Sequence, residues 1–178
     1  MSFSVSFRPP VPRGAPAGAP VPSEPDEEYE TLVMQACEAL AEAGNGSFHM
    51  SGFGTPEWPL DVAYDLSAFM EQFPDLLAGL RAHREVEIDL YSQGIERTLT
   101  FRPEGRAVAI HCASRTQWVP DPEWERISQG ELMAMLTTLA ADFADGLAAV
   151  DPGLARAAPF HEWRQRGNRQ TGRADGTG

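Results

Sequence analysis

This sequence predicts an α+β fold: an antiparallel meander of three to four strands, with three to four helices packed on one face. Two patterns carry the prediction. Between Glu85 and Trp124, apolar and polar residues alternate in three successive runs, the period of two that half-buried strands require. Before and after that stretch, apolar residues recur at spacings of three and four, which places them on single helical faces. With 178 residues and 42% hydrophobic content, the chain is long enough to build a core and short for two domains.

Residues 1–25 hold seven of the fifteen prolines in a Pro, Ala and Gly-rich run and are expected to be disordered, since they bury too little to offset ordering entropy. A single α+β domain is expected over residues 26–164, followed by a disordered basic tail over 165–178. The first helix is expected after Ser23, capped with Asp26, and ending at Gly44-Asn45-Gly46. Tyr29, Leu32, Val33, Ala36, Cys37 and Leu40 form its buried stripe. A short strand is expected over Ser47 to Phe53.

A second helical segment opens near Asp65 and sets Leu66, Phe69, Met70, Phe73, Leu76, Leu77 and Leu80 on one face. Pro74 lacks the N–H that would bond Met70, so a kink is expected there. The third long helix starts at Ser128, where Glu131 completes a capping box, and stops at Asp151-Pro152-Gly153. A last short helix, Leu154 to Trp163, docks Phe160 and Trp163.

Parity fixes the meander. A turn centred on Gln93-Gly94 sets Val86 opposite Phe101 and Ile88 opposite Leu99; a one-residue slip would scramble the apolar face. A second turn centred on Glu104-Gly105 pairs Phe101 with Val108 and Leu99 with Ile110. The opposite face is polar or small, and Asp89, Thr98 and His111 fall there in one row. Arg97 falls on the apolar face, where an unpaired guanidinium is costly, so it is expected at the sheet margin or beside a carboxylate.

The formal charge of −12 is unevenly spread: residues 1–25 carry +1 and 164–178 carry +3, leaving −16 between them. Such a surface repels phosphate backbones and attracts cationic ones, which disfavours nucleic acid as a partner. No apolar run approaches the roughly 18 residues of a membrane span, and Cys37 and Cys112 lack metal or redox spacing. A cytoplasmic location is therefore expected, without a metal or cofactor. The four histidines have no paired spacing, and phosphate-loop, dinucleotide and serine-elbow motifs are absent. No catalytic residue is assigned.

The segment Trp118 to Glu125 reads as a stiff loop with two tryptophans, two prolines and the carboxylates of Asp121, Glu123 and Glu125. Indoles are frequent binding anchors, although at least one of the two is expected to fold back over the core. Trp118, Asp121, Glu123, Trp124 and Glu125 are the partner-binding candidates. Arg97 is the candidate anion anchor if the chain instead binds a small ligand or acts as a regulatory module; an enzyme of unrecognised type is the third reading.

A meander from Val86 to Cys112 followed by a long helix from Ser128 to Val150 resembles the small acidic α+β immunity proteins that bacteria pair with toxins. The resemblance lies in architecture, size and charge, and covers about Asp61 to Trp163. It implies a non-enzymatic binding protein that neutralises or regulates a basic partner, such as a toxin, and it transfers no functional residue.

Overall fold

The first strand lies inside the proline-rich leader, where disorder was expected. The computed structural model describes residues 2–12 and 28–171, with the backbone alone for 167–171, and β1 (Ser4–Arg8) is well formed in it. Phe3, Val5 and Phe7 are buried at alternate positions, so the leader does supply an apolar strand face ahead of its prolines. Pro9-Pro10, which lack N–H donors, follow directly on the strand's end. Helix α1 (Tyr29–Glu42) buries the expected stripe from Leu32 to Leu40, with Tyr29 half-buried; its proposed cap at Ser23 and Asp26 lies outside the described residues. β2 (Ser47–Ser51) then pairs antiparallel with β1, Val5 opposite Met50 and Phe7 opposite Phe48.

The second helical segment is three pieces. Asp61 opens a π-helical turn (Val62–Leu66), followed by α2 (Ser67–Glu71) and α3 (Phe73–Arg81). The chain breaks at Gln72 rather than kinking through it. Pro74 is accommodated in the first turn of α3, where its missing N–H costs nothing. The freed amide of Gln72 finds a second use: Nε2 donates to the Asp89 carbonyl at 2.9 Å, and Oε1 accepts from the Asp89 N–H at 2.8 Å. One side chain thus plays the part of a neighbouring strand. Behind it, Gly79 lets α3 approach the next strand so closely that an added Cβ would fall 1.8 Å from Val86 Cγ2.

Strands β3 (Val86–Leu90), β4 (Arg97–Glu104), β5 (Ala107–Ser114) and β6 (Trp124–Ser128) form a four-stranded antiparallel sheet in that order. Between β3 and β4 the register is the expected one, Val86 facing Phe101 and Ile88 facing Leu99. Between β4 and β5 the parity holds but the pairing moves by two residues: Phe101 faces Ile110 and Leu99 faces Cys112. The turn is Gly105-Arg106, with Gly105 at φ 66° in the first turn position that mirror-image hairpins reserve for glycine. Two rows change in consequence. His111 lies beside Thr100, Glu87 and Trp124, whereas Asp89 lies with Thr98 and Ala113, so Asp89 and His111 do not share a row.

Ser128 caps α4 (Gln129–Val150) as expected, its Oγ accepting from the Glu131 N–H and donating to that carboxylate. By length and composition α4 is apolar enough to cross a membrane, the property the sequence reading denied to any segment. Here it packs against β1, α1 and the last helix, and Leu132, Leu136, Leu139, Phe143 and Leu147 are buried. Gly146 admits Pro9, whose Cβ would sit 2.6 Å from any side chain there. The short helix expected at Leu154 is a 3₁₀ turn (Leu154–Arg156), and α5 (Phe160–Thr171) runs well into the tail for which disorder was expected. Phe160 and Trp163 anchor it on Phe143 through ring contacts of 5.7 and 5.9 Å. The inner sheet face, the β1–β2 pair and the helices enclose one core, and the outer sheet face stays open.

Candidate functional site

Six large apolar side chains are exposed among the described residues, and three of them, Met34, Tyr64 and Tyr91, border one cavity of about 820 Å³. Its size falls in the range of ligand-binding clefts. The walls come from α1, the π-helical turn with α2, and the loop between β3 and β4. Glu38, Asp61, Asp65 and Glu71 contribute four carboxyl groups, and no arginine or histidine is among the described residues that line it.

The local chain path places these groups. The Asp61 carboxylate accepts from the Tyr64 N–H at 2.7 Å, which starts the π-helical turn. Because that turn is one residue wider than an α-turn, the reciprocal contact falls to Asp65, whose Oδ2 accepts from the Asp61 N–H at 2.8 Å. The other oxygen of Asp65 is buried with no partner at hydrogen-bond geometry, and the residue is only 3% exposed. Burial pushes its carboxyl above the ordinary carboxylate range; the Asp61 amide and the nearby Ser92 hydroxyl pull the other way, and the Asp61 charge adds to the rise. Glu71 is held in place from both walls, accepting from Ser67 Oγ at 3.0 Å and from the Tyr91 hydroxyl at 3.1 Å. Burial first, and then Glu71, push the Tyr91 phenol upward. Tyr64 and Tyr91 remain 71% and 56% exposed, with ring surface available at the rim.

The five residues of the Trp118 to Glu125 segment do not act as one surface. Trp118 turns inward: its ring lies 3.7 Å from the Arg97 guanidinium carbon, and its Nε1 donates to Thr55 Oγ1 at 3.1 Å. Glu125 also points inward on β6, where its Oε1 accepts from the Phe53 N–H at 2.5 Å. That N–H belongs to a run of three residues with positive φ, Gly52, Phe53 and Gly54, which turns it toward the carboxylate while the Gly52 N–H bonds the Thr55 carbonyl at 2.9 Å. Asp121, Glu123 and Trp124 are exposed, and Trp124 stacks on His111 at 4.6 Å with the Arg102 guanidinium 5.2 Å from its ring. Trp124 thus stands on the open face of the sheet, as a strand residue and not a loop one.

Arg97 does stand at the sheet margin, as the first residue of β4 in the end row with Leu90 and Ser114, but that margin is covered. It is 4% exposed, and its Nε and Nη1 are buried without hydrogen-bond partners. Instead of a carboxylate it has two indoles packed edge to face against each other, Trp58 at 4.2 Å and Trp118 at 3.7 Å, so that cation–π attraction to both rings offsets part of its desolvation. Burial lowers its pKa, Cys112 opposes this, and Cys112 itself is pushed up to about 12 chiefly by burial. The cavities of about 820, 410 and 380 Å³ are lined by other residues. Asp89, expected in one row with His111, instead accepts from Arg115, which also bonds Thr98 at 2.6 Å.

No family, characterised protein or solved structure matches this chain. The acidic cleft therefore rests on its own geometry. Sequence reasoning missed it, and Asp61 was the one available signal: an aspartate three residues before Tyr64, at a helix start, with a second acid four residues on.

Proposed function

We propose that this chain is a non-enzymatic cytoplasmic binding protein that neutralises or regulates a basic protein partner, as immunity proteins do with toxins. The observation that carries the reading is the cleft, where four carboxyl groups meet exposed tyrosines and no lining cation balances them among the described residues. Masking a basic surface needs charge and shape complementarity and no chemistry at the bound group. The strongly acidic middle of the chain, −12 overall, adds long-range attraction for the same kind of partner. Free, buried Cys37 and Cys112 suit a compartment that keeps thiols reduced. An anion at Arg97 is less well supported, because that guanidinium is buried against two indoles and lines none of the cavities described above.

The reading is tested by co-expressing the chain with the proteins encoded beside it and titrating any basic one that co-purifies. Asp61→Asn with Glu71→Gln is expected to weaken that complex about tenfold or more, with the loss largest at low salt. If charge reversal at Asp121 and Glu123 breaks the complex while the cleft pair leaves it intact, the partner binds on the β6 side and the cleft is not its site.

A further inference from the structure

We infer that the cleft selects arginine over lysine, receiving a guanidinium from an extended segment of the partner protein; this rests on the reading of the cleft as a site for a basic protein. Three features of the cavity separate the two cations. The first is depth. Asp65 lines the acidic cavity although it is only 3% exposed, and its Oδ1 is buried without a hydrogen-bond partner. A cation reaching it must shed water, and a guanidinium is far more weakly hydrated than an ammonium.

The second feature is the rim. Tyr64 and Tyr91 stand exposed on different walls, one on the π-helical turn and one on the β3–β4 loop, and present aromatic surface to whatever enters. A planar guanidinium stacks on such rings while its edge donates to carboxylates; a point-like ammonium gains less from the same rings. The chain already uses this chemistry on itself, holding the Arg97 guanidinium against Trp58 and Trp118 with no carboxylate in contact.

The third is size and lining. A volume of about 820 Å³ exceeds what one side chain fills, so flanking residues of the segment enter with it. Met34, Pro59 and Ile95 provide apolar wall for the arginine stem and its neighbours. Glu71, held by Ser67 and Tyr91, and Asp61, fixed on the Tyr64 N–H, are positioned carboxylates that need no reordering on binding. Fixed acids on one wall and a buried free oxygen between them in the chain match the forked donors of a guanidinium.

The probes are three blocked tetrapeptides, acetyl-Gly-Arg-Arg-Gly-amide and its lysine and citrulline counterparts, titrated calorimetrically into the full chain at low ionic strength. The arginine peptide is expected to bind about tenfold more tightly than the lysine peptide, and the neutral citrulline peptide not measurably. Asp65→Asn and, separately, Tyr91→Ala are expected to bring the arginine peptide down to the lysine level, with far-ultraviolet circular dichroism confirming that both variants fold. Equal affinity for the arginine and lysine peptides overturns the selectivity and leaves the cationic cleft standing. Failure of both charged peptides to bind, or binding of the citrulline peptide as tightly as the arginine one, overturns the cleft reading itself.

Discussion

Replacing Gln72 by alanine removes the amide that closes the β3 edge and ties one wall of the cleft to the other. Three contacts disappear: Nε2 to the Ala68 carbonyl at 2.7 Å, Nε2 to the Asp89 carbonyl at 2.9 Å and the Asp89 N–H to Oε1 at 2.8 Å. Each such bond is worth about 1 kcal/mol net, and the half-buried Asp89 backbone groups regain water only in part, so the loss is about 2–3 kcal/mol. For a domain of this length that is a fall of about 4–12 °C in melting temperature. Urea unfolding measures the first quantity, and hydrogen exchange at the Asp89 amide measures its origin. The Gln72→Glu variant is a sharper probe. It keeps an acceptor for the Asp89 N–H but turns a second oxygen toward two carbonyls, so it is expected to be less stable than Gln72→Ala at neutral pH. It should recover as acid protonates the new carboxyl, which then donates. A Gln72→Ala loss below about 0.5 kcal/mol, the size of an ordinary surface change, would refute the edge-closing role.

Gly79→Ala sets a new methyl against Val86 Cγ2 and is expected to cost about 1–3 kcal/mol, most of it recovered when combined with Val86→Ala; strictly additive losses would contradict the packing. Trp118→Ala removes one of the two indoles against the buried Arg97 and is expected to cost about 3 kcal/mol, whereas Trp124→Ala on the open sheet face should cost under about 1 kcal/mol; equal losses in thermal unfolding would reverse the assignment of the two indoles. Asp65 has a folded-state pKa above its ordinary 3.8, so the folded protein holds a proton that the unfolded chain has released, and stability declines as pH rises through that interval. Asp65→Asn removes the decline: its stability advantage over the parent should grow as pH rises above about 4, while its affinity for the arginine peptide falls to the lysine level. An advantage independent of pH would show that the carboxyl is not perturbed by its burial.

The sheet was the legible part of this sequence. Alternation between Val86 and Cys112 dictates the parity of every pairing, because a one-residue slip would expose the core face. Parity does not choose between registers two residues apart. The choice at the second hairpin rests on which turn position Gly105 fills, a matter of backbone angle and not of hydrophobic pattern. The strand at Ser4–Arg8 carries the same alternation on a smaller scale, with Phe3, Val5 and Phe7, but the prolines beyond it dominate the composition of the leader. At Pro74 the helical period persists through a break because α2 and α3 bury the same side, so periodicity alone reports a continuous helix. The cleft was illegible for a different reason. Glu38, Asp61, Glu71 and Tyr91 lie on separate elements, and each alone is an ordinary surface residue. Arg97 was conspicuous in the sequence, but its partners, Trp58 and Trp118, are distant in the chain and belong to loops that no periodicity constrains.

The most direct measurement is amide chemical-shift mapping by nuclear magnetic resonance while the acetyl-Gly-Arg-Arg-Gly-amide peptide is added at low ionic strength. The expected shifts fall on residues 61–67 and 91–95, on Glu38 and on Glu71, and they diminish together as salt rises. Shifts confined to His111, Glu123 and Trp124, or spread over the acidic surface without a focus, would contradict a cationic site in the cleft.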